Sequence, residues 1–157
     1  MSNEPAFDQA AAHRFYSVEC FNRAWDLIDK AVRSPAEDEE MLRLSLASTW
    51  HWTQRPDCTS ENLSVAYWQT ARIYTLLGQA DNAKRYGLLC LEASKKVGVG
   101  PFFRAYAYEA LARAAMTAGV QSDMEGYLAQ ARREADALPD ANERQLLLDD
   151  LATIRID

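Results

Sequence analysis

The sequence predicts an all-α fold. Every long segment repeats its apolar residues at three- and four-residue steps, and no segment alternates as a half-buried strand does. The segments are separated by short Gly, Pro and Ser breaks of the kind that stop one helix and start the next. Length and composition agree with this. A chain of 157 residues suits one domain spanning 1–157 that buries roughly two thirds of its unfolded surface. With 48% hydrophobic and 25% charged residues the composition is that of an ordinary soluble globular protein, not of a disordered one.

The first helix is expected over about Phe7 to Val32, with Phe15, Val18, Phe21, Trp25, Ile28 and Val32 as its inward stripe. The run "SPAEDEEML" reads as the start of a second helix. Ser34 can cap it, Pro35 fits the first helical position, and Glu37 completes a capping box. Asp38, Glu39 and Glu40 then face the positive end of the helix dipole, so this acidic run has an electrostatic reason that needs no metal. The second helix continues through Trp52 and stops before Pro56. A third runs from a cap at Thr59 or Ser60 to Leu77, where Gly78 breaks it, and a fourth from near Ala80 to the "KKVGVGP" stop signal. The fourth carries Ala83, Gly87 and Cys90, small enough for a neighbouring backbone to come close. Pro101 to Ala118 forms a fifth, about Ser122 to Leu138 a sixth, and "ANERQLLLDDLATI" a seventh.

Charge and motifs exclude several functions. A net charge of -6 with 17 scattered basic residues lacks the basic surface that neutralises nucleic-acid phosphates. The start "MSNEPAFDQAAAH" lacks the pattern of a secretory signal and no window is apolar enough to span a membrane, so the expected location is cytoplasmic. Cys20, Cys58 and Cys90 lie too far apart for a CxxC site and read as reduced thiols, with Cys58 the most exposed. No phosphate loop, dinucleotide fingerprint, HExxH, GxSxG or EF-hand occurs, and no cofactor or metal is expected.

The helical pairs repeat. Leu77-Gly78 and Ala118-Gly119 stand 41 residues apart, with Ala71 and Ala112 seven residues before the glycines. Ala83 and Met124 lie five after them, Cys90 and Ala131 twelve after. On Tyr67, Ala71, Tyr74, Gly78, Ala83 and Cys90, and less completely on Tyr108, Ala112, Gly119, Leu128 and Ala131, the chain resembles the tetratricopeptide-repeat (TPR) family of helical hairpins. It looks like small, uncharacterised bacterial TPR-like proteins, a resemblance that brings no activity with it. The resemblance implies a right-handed stack of about three antiparallel hairpins with a C-terminal capping helix; residues 1–57 show a helical hairpin compatible with a divergent first unit. The spacing exceeds the family's usual period.

The resemblance also implies a concave face built from the first helix of each hairpin. Carried over by position, that face holds Val65, Trp68, Arg72 and Leu76 from the third helix, and Tyr106, Glu109, Arg113 and Thr117 from the fifth. Independently of the family, Trp68 and Arg72 share a helix face, as do Glu109 and Arg113, being four residues apart. A groove with two solvated guanidinium forks, an acid and aromatic platforms suits a peptide, a protein tail or a small anionic, carboxylate-bearing ligand. The expected function is non-enzymatic recognition. Two alternatives stand beside it: a small-ligand sensor or enzyme using a pocket near His51, and a homo-oligomer whose groove is filled by another copy.

His51 lies between Trp50 and Trp52 in "STWHWTQRPDC". Successive helical residues are 100° apart, so the tryptophans point to nearly opposite sides, which is what a helix sandwiched between two neighbours needs. The two tryptophans then read as core, and Trp25, Leu77 and either Trp50 or Trp52 are expected to be largely buried. His51 points across them, and no ligand spacing joins it to His13, the other histidine of the chain.

Overall fold

The computed structural model describes residues 6–156, and every statement below concerns those residues. They form seven α-helices and no strand: α1 Gln9–Ile28, α2 Pro35–Thr53, α3 Ser60–Leu76, α4 Ala80–Ser94, α5 Pro101–Ala118, α6 Gln121–Asp136 and α7 Ala141–Ala152. No helix among them is long and apolar enough to cross a membrane. Residues Met1 to Pro5, part of the start examined for a targeting signal, lie outside the described residues. The chain divides into two compact units, Met1–Thr59 and Ser60–Asp157.

The first unit is an antiparallel hairpin of α1 and α2. As α1 runs forward its partners run backward along α2: the Ser48 hydroxyl donates to the Ser17 carbonyl, 2.6 Å, and Arg23 pairs with Glu40. The turn is closed by the expected capping box, Ser34 Oγ accepting from the Glu37 amide at 3.2 Å and Glu37 Oε2 accepting from the Ser34 amide at 2.9 Å. The face of α1 that is buried differs from the expected one. Ser17, Cys20 and Ala24 are buried, whereas Phe15, Val18 and Val32 are exposed. Close packing on α2 selects small side chains along that stripe, and the large apolar residues stand beside it.

Of the two tryptophans that flank His51, one is exposed and the other is not. Trp50 is 55% exposed, and Trp52 and Trp25 are half-buried, as is Leu77. Trp52 is covered by its own chain neighbour, the Arg55 guanidinium lying 4.0 Å from its ring centroid. Arg55 is held there by a fork onto Asp57, 2.9 and 2.7 Å, and by the Ser17 hydroxyl, 2.9 Å. The interior of this hairpin is supplied by Met41, Leu44, Ser45 and Ser48 instead.

In the second unit α3 packs on α4, α4 on α5, and α5 on α6, while α5 also touches α3 and α7. The two predicted breaks are the same turn. Gly78 and Gly119 have φ of 71° and 72°, and each closes a Schellman pair of hydrogen bonds, Gln79 N to Tyr74 O and Gly78 N to Thr75 O in one, Val120 N to Ala115 O and Gly119 N to Met116 O in the other. Gly87 does what its size suggested: a Cβ there would lie 2.8 Å from Leu111 Cδ2, so the absence of a side chain lets α5 seat a buried leucine against α4. The core of α5, α6 and α7 is lined by Ala112, Leu128, Ala131, Leu147, Leu151 and Ile154. Each fully buried Leu or Ile there contributes about 1.5–3 kcal/mol.

Candidate functional site

Five predicted groove residues, Trp68, Arg72, Tyr106, Glu109 and Arg113, lie on α3 and α5 of the second unit. Four of them are joined by contacts. The Trp68 indole Nε1 donates to Glu109 Oε2 at 2.8 Å, and the Trp68 ring meets the Tyr106 ring edge-on at 5.6 Å. Arg113 Nε donates to Glu109 Oε1 in a close ion pair. Trp68 and Glu109 are 41 residues apart, the interval that separates the turn glycines, so positions equivalent in the two hairpins touch one another.

The structure corrects one feature of this face. Arg113 is not solvated: it is 6% exposed and Glu109 1%. A second fork of Arg113 reaches α7 and the residue after it, Nη2 donating to the Asp150 carbonyl at 3.1 Å and to Thr153 Oγ1 at 2.8 Å. Tyr106 makes a parallel link, its hydroxyl donating to Asp150 Oδ2 at 2.7 Å. Burial, followed by that negative partner, pushes the Tyr106 hydroxyl pKa far upward. The terminal helix therefore covers this part of the face and uses Arg113 and Tyr106 as its attachment points. A buried charge pair persists only when its hydrogen bonds are satisfied, and here Glu109 accepts from two donors while Arg113 donates to three acceptors.

Arg72 is different. It is half-buried, yet its guanidinium makes no hydrogen bond or ion pair with any of the described residues. Burial lowers its pKa and the charge of Arg113 lowers it further, against the opposing fields of Glu109 and Asp150. Five N–H donors on this side chain are thus left for solvent or a ligand.

Beside Trp68 is a pocket of about 240 Å³ lined by Val65, Trp68, Phe102, Phe103, Tyr106 and Leu146 together with Ser64 and Cys90. Phe102, Phe103 and Leu146 were not among the residues expected to form the site. They sit where the start of α5 and the middle of α7 close around α3, a neighbourhood that spacing along single helices does not reveal. Cys90 is held inert: it is buried beside the Ser64 hydroxyl, and desolvation pushes its thiol pKa up to about 12.

His51 belongs to the first unit and contacts His13, their Nδ1 atoms 2.8 Å apart. The two histidines, which no ligand spacing joins along the sequence, meet through the fold. Ligand spacing along one helix is not the only way to bring side chains together, and an antiparallel hairpin places the start of α1 against the end of α2. Trp50 and Tyr16 surround the pair, their ring centroids 4.9 and 5.5 Å from that of His51. Burial, then the neighbouring His13, lowers the His51 pKa. These rings border an open cleft of about 570 Å³ that also includes Phe7, Gln9, Ala12 and Gln54.

Comparison with protein families, with curated proteins and with solved structures returned no match.

Proposed function

We propose that the chain is a non-enzymatic recognition module of TPR-like build, which takes an apolar side chain of a peptide or protein tail into the Trp68 pocket and its terminal carboxylate onto Arg72. The observation that carries this reading is the partnerless, half-buried Arg72 guanidinium one helical turn from Trp68. A carboxylate received there would complete a charge-assisted fork worth about 1.5–3 kcal/mol. The pocket beside it holds roughly one large side chain and is bordered mainly by aromatic rings.

The TPR-like assignment is supported by two recurrences: the same Schellman turn at Gly78 and Gly119, and the contact between equivalent residues Trp68 and Glu109. In this reading the α1–α2 hairpin is a divergent repeat and α7 is the cap. The enzyme alternative asks for a carboxylate beside His51, and the hydrogen-bonded neighbour of His51 is another imidazole.

Short peptides ending in Leu or Phe, each made with a free carboxylate and as the amide, test the reading by fluorescence polarisation. The free acids should bind at least tenfold more tightly than the amides, about 1.4 kcal/mol. Equal binding of acids and amides, or no binding of either, would remove the carboxylate from the proposal.

A further inference from the structure

We propose that His13 and His51 form a binding site for a late first-row divalent transition-metal ion of the nickel, copper and zinc class. The site belongs to the first unit and does not depend on how the Trp68 pocket is used.

The two imidazoles come from opposite helices of the first hairpin and present Nδ1 to Nδ1 at 2.8 Å. Two aromatic nitrogens can approach this closely only if one carries a hydrogen and the other offers a lone pair, so a single small electrophile already sits between them. A metal ion can take its place. Metal–nitrogen bonds of about 2.0–2.1 Å at a near-tetrahedral angle put the two nitrogens about 3.4 Å apart. The rings must therefore separate by roughly 0.6 Å, a small rotation for side chains that border an open cleft. The protons balance: the hydrogen leaves Nδ1 of one ring, the same ring is protonated at Nε2, and both imidazoles coordinate as neutral Nε2–H tautomers with no net proton released.

The donor set selects the metal. Among the described residues, those lining the cleft (Phe7, Gln9, Ala12, His13, Tyr16, Trp50, His51 and Gln54) include no carboxylate, so they offer calcium and magnesium none of the oxygen anions those ions require. Imidazole nitrogen suits zinc, copper and nickel, in the order of affinity that peaks at copper. Among the described residues no group of three or more His, Cys, Asp or Glu converges on a metal position. The ion is accordingly held by two protein nitrogens, with water from the open cleft available to complete its shell. Such a site is exchangeable and open, and it ties the N-terminal turns of α1 to the last turn of α2.

The full chain, freed of metal, is titrated with zinc chloride and, separately, with copper(II) chloride. Zinc should bind once per chain and raise Tm by about 5–10 °C at a hundredfold excess over Kd, while calcium does nothing. His13→Ala and His51→Gln should each weaken zinc binding at least tenfold. Because a variant can lose binding by losing its fold, the parent chain supplies a second measurement. Substoichiometric copper(II) should broaden the NMR signals of the His13 and His51 rings and of the Trp50 indole before others. Broadening confined to the chain's N-terminal amine, undiminished zinc binding in both variants, or absence of saturable binding would each overturn the site and leave the histidines as a proton-sharing pair only.

Discussion

At the scale of single residues, two arginines four residues after an equivalent position on successive helices have opposite fates. Arg113 is enclosed and completes a buried pair with Glu109, so removing its partner strands a charge: Glu109→Ala should cost about 3–5 kcal/mol in chemical denaturation. A loss below about 1 kcal/mol would mean that water reaches the pair. The sequence showed that Glu109 and Arg113 share a face, but not that this face is covered, because the covering group is α7 and its attachment runs through Asp150 and Thr153. The same limit applies to Trp50 and His51. Spacing gives the direction in which a side chain points relative to its helix and says nothing of what stands there. The thiols were more legible. Cys58 is half-buried in the loop after α2 while Cys20 and Cys90 are buried, and Ellman's reagent should label Cys58 well before the other two.

At the scale of elements, the helix boundaries were readable wherever a named chemical device sets them. Ser34 and Glu37 close their capping box, and Pro101 to Ala118 is helix α5 as expected. Ser34→Ala should lower stability by about 1 kcal/mol. Lys30, then the Ser34 amide, holds the Glu37 carboxyl below its usual pKa. A carboxylate depressed in this way stabilises the fold above its unfolded pKa, and that contribution is lost as pH falls through the folded value. The acid limb of a stability profile should therefore shrink in Glu37→Gln. At the two turn glycines a Cβ would meet nothing within 4 Å, so any penalty comes from the backbone alone. Gly78→Val and Gly119→Val should each cost about 1 kcal/mol or more through the strain of positive φ. On the buried face of α1 size decides over hydrophobicity, which is why the apolar stripe does not mark it. Ser17 and Ala24 are inside for the reason Gly87 is, close approach of a neighbouring helix.

At the scale of the whole molecule, the repeat interval in the sequence reappears as a contact in space, Trp68 to Glu109, within the second unit. Its consequence is a division of labour on one face: Arg113 and Tyr106 bind α7, Glu109 pairs with Arg113 and Trp68, and the Arg72 guanidinium has no hydrogen-bond acceptor among the described residues. On the reading proposed above, Arg113 serves the fold while Arg72 serves a ligand. Urea denaturation of Arg72→Gln beside Arg113→Gln tests it most directly. Arg72→Gln should match or slightly exceed the parent, since a half-buried charge is removed and no bond is broken, whereas Arg113→Gln should lose about 3–5 kcal/mol. Equal destabilisation by the two substitutions would contradict the account, because Arg72 would then be as much a part of the scaffold as Arg113.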